Sequence, residues 1–102
     1  MPTFETLSRF ERDWKHLTAH QQATFRKVVT EAFVPDLAAP DRPFRTGLRV
    51  KGVTGHPGVF EMTWDNDGRA TLTYGDEQIP GQAHVIWRRI GTRAIFAPPP
   101  GP

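Results

Sequence analysis

The chain has 102 residues, 37% of them hydrophobic and 11% aromatic, with a formal net charge of +2 and no cysteine. That is enough apolar material for one folded domain and too much for a disordered chain, and no apolar run reaches the length of a membrane span. The missing cysteines exclude disulfides, thiolate metal sites and thiol nucleophiles, so any chemistry falls to carboxylates, histidines, cations or hydroxyls.

The opening MPTFETLSRFERDW is charged from the start and has neither the apolar core nor the small-residue cleavage site of a secretory signal. It points to a cytoplasmic protein. Residues 3 to 7, TFETL, alternate and predict a short edge strand, whereas Phe10, Trp14 and Leu17 recur at the spacing of one helical face. A helix from about Ser8 to Leu17 is expected. Thr18 with Gln21 three residues later has the form of a capping box, which opens a second helix with Phe25, Val28, Val29, Ala32 and Phe33 on one face. Pro35 predicts its end, because the proline ring disfavours helix in the residue before it. From Pro35 to Pro43 three prolines and two aspartates predict a loop that changes layer.

From Leu48 the period changes to two. Four strand-like runs follow, LRVKGV, GVFEMTW, RATLTY and HVIWRRI, joined by TGHPG, DNDG and GDEQIPGQ. Links this short imply an antiparallel meander. DNDG begins like a calcium loop, but the later ligands are missing and a hairpin turn is the expected reading. His16 and His20 fall across the Thr18 cap, so no metal site is expected there, and His56 in its Gly/Pro turn reads as solvated. The tail at 98–102 is proline-rich and predicts disorder beyond a single domain at 1–97.

Alternation also assigns faces. Phe60, Met62 and Trp64 form one core set and Ala70, Leu72 and Tyr74 another; for both to point the same way, Thr63 must pair with Arg69 and Glu61 with Thr71. Glu61 and Arg69 then become diagonal neighbours on the far face, and the first strand adds Arg49 and Lys51 to it. The basic surplus lies in the same part of the chain: residues 1 to 41 hold five Lys/Arg and six Asp/Glu, residues 42 to 102 eight and five. A carboxylate among cations on such a face is either a solvated salt bridge of little energy or a phosphodiester site, in which the carboxylate takes a proton from an attacking hydroxyl and the cations stabilise the developing charge. RNA brings its own 2′-hydroxyl, so that chemistry needs no metal and no cofactor. In HVIWRRI, Val85 and Trp87 are expected in the core, which leaves Arg89 at the sheet edge and turns Arg88 and Arg93 toward an anion.

The segments RDWKHL, FRTGLRVKGVTGHPGVFEMTWDNDGRATLTYG and HVIWRRIGT together resemble the RelE/ParE superfamily of bacterial toxins from type II toxin-antitoxin operons, in particular its actinobacterial cytotoxin or RelE-like branch. The resemblance covers about residues 3 to 96. It implies an α+β fold, with two N-terminal helices packed on one face of a four-stranded, mainly antiparallel twisted sheet and a short N-terminal edge strand beside it. It further implies a metal-independent endoribonuclease that inhibits translation by cleaving mRNA in the ribosomal A site through 2′-hydroxyl attack on the adjacent phosphate. By match of motif, Glu61 would be the general base, Lys51 a phosphate-binding cation, and Arg69 the cation of the transition state. Arg49, Arg88, His84 and Phe96 would contact substrate, with Phe96 in the C-terminal aromatic position.

The partners implied are a cognate antitoxin that wraps the domain and fills its basic face, and the ribosome with its message; operator DNA would be bound through the antitoxin, and no membrane is involved. One position departs from the pattern. Where many members read Ile-Gly-Thr-His-Asp, this chain has Arg93 and Ala94. Arginine stays charged and cannot readily give a proton to the leaving 5′-oxygen, so either His84 or water supplies it, or activity is weak or lost, or the domain acts like the gyrase-inhibiting ParE branch without catalysis.

Overall fold

The structure, a computed structural model, describes residues 2–96. The tail expected at 98–102 lies outside them. Strand β1 (Thr3–Thr6) leads directly into helix α1 (Ser8–Lys15) and helix α2 (Ala19–Val28). The capping box is formed as expected: Gln21 N–H donates to Thr18 Oγ1 at 3.1 Å and Thr18 N–H to Gln21 Oε1 at 2.8 Å. Helix does not end before Pro35. A π-helical turn at Val29–Phe33 runs into α3 (Val34–Leu37), where Pro35 stands in the first turn. The wider π turn displaces the carbonyl that the ring would strike, and a first-turn position needs no amide hydrogen, so the chain stays helical to Leu37.

The sheet has five strands rather than four, in the order β1-β5-β4-β3-β2, with β2 at Lys51–Gly52, β3 at Phe60–Thr63, β4 at Gly68–Gly75 and β5 at His84–Thr92. The meander β2 to β5 is antiparallel, as expected, and β1 joins β5 in parallel, with Thr3 opposite His84 and Thr6 opposite Trp87. The central register is the one that alternation requires: Thr63 pairs with Arg69 and Glu61 with Thr71. β2 is much shorter than the run LRVKGV. The run's first residue, Leu48, ends a 3-10 turn, Thr46–Leu48, closed by Arg49 in the left-handed conformation (φ 49°, ψ 43°), so Arg49 is not a strand residue.

Both helices cover one face. Phe10, Phe25 and Phe33 meet Met62, Trp64, Ala70, Leu72, Val85, Trp87 and Ile90 in a continuous core rich in ring contacts, such as Phe25 edge-on to Trp87 at 5.2 Å. Complete burial of a side chain the size of Phe33 or Leu72 contributes about 1.5–3 kcal/mol. Gly68 lies under the Trp64 indole, where any Cβ would come within 2.7 Å of the ring. Tyr74, expected in the core, is 41% exposed although its ladder partner Val85 is fully buried, and its ring packs on Phe60 at 5.6 Å. Among the described residues no helix is long and apolar enough to cross a membrane.

Candidate functional site

The uncovered face carries the charged residues. Lys51 lies directly opposite Glu61 across the β2–β3 ladder, and its ammonium is 3.6 Å from the carboxylate; the lysine is mostly in solvent and the glutamate side chain only 17% exposed. Glu61 opens into a cleft of about 360 Å³, at the small end of the range for ligand sites, lined also by Val53, Thr54, His56, Ile95 and Phe96. Two elements form it. The β2–β3 hairpin loop, held by Val53 N–H to Val59 O at 2.8 Å and His56 N–H to Val53 O at 3.1 Å, supplies the imidazole. A 3-10 turn after β5, Arg93–Phe96, folds back over the sheet and supplies the aromatic wall, with Phe96 39% exposed. A carboxylate, an imidazole and an exposed ring thus border one cleft, with the Lys51 ammonium beside the carboxylate.

Arg69 does not line that cleft. It lines a second one, about 460 Å³, together with Arg45, Arg49, Thr63, Trp64 and Asn66, at the end of the sheet where the β3–β4 hairpin meets the 3-10 turn before β2. Val28 and Ala32 of the helical layer and Asp65 of the hairpin turn also line this second cleft, and its Thr63 lies two residues from Glu61 on the same face of β3. Arg69 is 7% exposed, and its Nη1 donates to the carbonyls of Asp65, Asn66 and Gly68. Arg45 is engaged elsewhere. Its Nε and Nη2 form a two-pronged pair with Asp36, each bond 2.9 Å, and these bonds lower the Asp36 carboxyl to about 2.

Three expected positions lie apart from both clefts. His84 is buried at the start of β5, where Nδ1 meets Thr3 Oγ1 at 2.7 Å and Nε2 meets the Glu5 carboxylate at 2.6 Å. Both ring nitrogens are occupied, so it fastens β1 to β5 and offers nothing to a substrate. Arg88 is the extra residue of a β-bulge: Leu72 pairs with Trp87 and Thr71 with Arg89, and the count slips by one between them. The bulge moves Ile90 into the core, so the core set of β5 is Val85, Trp87 and Ile90. Arg93 is exposed and pairs with Asp67 of the DNDG turn at 3.3 Å.

Arg89, expected at the sheet edge with a structural or antitoxin-facing role, is tied into the fold. Its Nε and Nη2 donate to Asp13 at 2.8 and 3.2 Å, and the same carboxylate accepts the Ile90 amide at 3.1 Å. His56 is the residue that strand periodicity misses. It lies in a turn with no alternation to read, and only the closed hairpin shows that the loop borders the Glu61 cleft. Among the described residues no group of three or more histidine or acidic side chains could hold a metal ion.

The fold is that of several bacterial toxins. The chain superimposes on a YafQ mutant from E. coli with a TM-score of 0.63 at 14% identity, over 96% of this chain and 100% of that one. The E. coli DinJ-YafQ toxin-antitoxin complex gives 0.63 at 14% identity, over 95% and 98%. A copper-bound mutant toxin from Helicobacter pylori gives 0.64 at 14% identity, over 94% and 99%. No protein-family model and no curated protein matches the sequence.

Proposed function

We propose that the protein is the toxin of a toxin-antitoxin pair and that it cleaves mRNA on the ribosome at the Glu61 cleft. The observation that carries this reading is the Glu61 carboxylate, little exposed, beside the Lys51 ammonium, in a cleft with an imidazole and an exposed ring, on a fold shared end to end with YafQ. Glu61 takes the proton of the substrate's 2′-hydroxyl as the 2′-oxygen forms its bond to the adjacent phosphorus. Lys51 stabilises the charge on the non-bridging oxygens. The bond from phosphorus to the 5′-oxygen breaks, and His56 gives the departing oxygen its proton, since imidazole is the side chain suited to exchange protons near neutrality. The products are a 2′,3′-cyclic phosphate and a 5′-hydroxyl end. Phe96 offers a face on which a base stacks.

This assignment relieves Arg93 of the proton-donor role for which arginine is unsuited. Structures of a DinJ-YafQ toxin-antitoxin complex on the same fold support an antitoxin as the protein's partner. Incubation of the purified protein with translating ribosomes, followed by mapping of RNA ends, should show new 5′-hydroxyl ends within the message. Intact message at a large excess of protein over ribosomes overturns the proposal.

A further inference from the structure

Partly enclosed Arg89 is matched by Asp13, and the exposed Arg45 and Arg93 are matched by Asp36 and Asp67. Two arginines that are not exposed form no ion pair among the described residues: Arg88, at the bulge, and Arg69, which is the more buried of the two. Burying a guanidinium without a counter-charge is costly, and three carbonyl contacts through one nitrogen offset only part of it. The same contacts fix the plane of the group. The Arg69 Nε and Nη2 have no acceptor among the described residues and are not fully enclosed, and the side chain lines the cleft.

Arg49 adds a second donor to that cleft. It is the only non-glycine residue with positive φ among those described, and it forms no ion pair. A β-unbranched but non-glycine residue is disfavoured in that region of backbone space, and such outliers cluster where a ligand is held. The left-handed turn takes Arg49 out of the β2 alternation and into the wall that Arg69 shares, with the Thr63 hydroxyl between the two clefts.

We infer that the Arg49–Arg69 cleft is a second phosphate site, which holds the phosphodiester next to the one that is cleaved, so that β3 is spanned by one nucleotide step of a single strand. The inference rests on the proposed function for its ligand, an RNA backbone. It gives Arg69 a task separate from the reacting phosphate: the guanidinium fork receives two oxygens of the neighbouring phosphate, and Arg49 closes over it. The register of the message relative to Glu61 is then set by two anchors instead of one.

The test measures binding without cleavage. A short 2′-O-methyl oligoribonucleotide has no free 2′-hydroxyl, so the intact protein can be titrated with it across a range of salt while the arginine Nε–H signals are followed by NMR. The Arg69 and Arg49 signals should shift together. Arg49→Ala should weaken binding several-fold and reduce the slope of log K against log salt by about 0.7, the contribution of one phosphate contact on a single strand. Arg69→Lys, which keeps the charge and loses the fork, should weaken binding in a melt-matched protein.

Unmoved Arg69 and Arg49 signals, or an unchanged salt slope in Arg49→Ala, overturn the inference. A glutamate-rich peptide that moves these signals where the oligonucleotide does not overturns it in favour of a protein carboxylate. Because nothing is cut in this assay, binding without ribosomal cleavage leaves the cleft in place and removes only the proposed reaction.

Discussion

The two edges of the sheet treat charge in opposite ways. At the β1–β5 edge several polar groups have internal partners: Glu5 and Thr3 hold His84, and Asp13 holds both Arg89 and the Ile90 amide where the β1 ladder has stopped. At the β2–β3 edge the strand is two residues long, Lys51 extends into solvent beside Glu61, and Arg49 and Arg69 form no ion pair among the described residues, although Asp65 lines their cleft. Charges at the first edge are tied into the fold, and those at the second are the ones on which the proposed function draws. The family resemblance drew attention to charged residues at both edges; only the pairing pattern tells them apart.

Substitutions that respect this division sharpen it, and the largest effect is expected at Glu61. Glu61→Gln should lower the single-turnover rate of RNA cleavage by about 10² to 10⁴ with little change in the melting curve, because its pair with a solvated lysine contributes little to stability. Unchanged toxicity would instead favour a non-catalytic, gyrase-directed action of the same surface. His56→Ala should cost about 10² in the same assay, and the loss should largely disappear on a substrate with a 5′-thio leaving group, which departs without protonation. At the other edge, Asp13→Ala should destabilise the fold by about 2 kcal/mol in urea titration, since it strands a half-buried guanidinium and a strand amide together, while affinity for the 2′-O-methyl oligonucleotide stays the same.

The smallest effect is conditional on acid. The Asp36 carboxyl is lowered to about 2 by Arg45, so its contribution is complete above the ordinary carboxylate range near 3.8 and is lost as pH falls through about 2. Melting temperatures of the protein and of Asp36→Asn should therefore differ by a constant amount above about pH 4 and converge toward pH 2.

Local rules carried much of this from the residues alone. The capping box at Thr18, the β3–β4 register and the far-face position of Glu61 depend on contacts a few residues apart, and alternation or cap chemistry encodes them directly. What escaped has non-local causes. The bulge at Arg88 inserts one residue and reverses which side chains of β5 enter the core; nothing in an unbroken run announces it. Enclosure of His84 needs β1 to arrive from 81 residues away. Arg49 left its strand because the preceding 3-10 turn closes on it, and His56 reaches the cleft only through closure of its hairpin.

The parallel pairing of β1 with β5 has a consequence in time. Strands β2 to β5 are connected by short turns and can assemble as they are made, but β1, although it is synthesised first, has no ladder until β5 has been made. Closing so long a loop is entropically slow and comes after the local hairpins. The Glu61–Lys51 pairing belongs to the early part, and the Asp13 and His84 fastenings to the late one, as does the Phe96 wall of the cleft. A nascent chain therefore pairs Lys51 with Glu61 before it gains the enclosure that fastens the opposite edge.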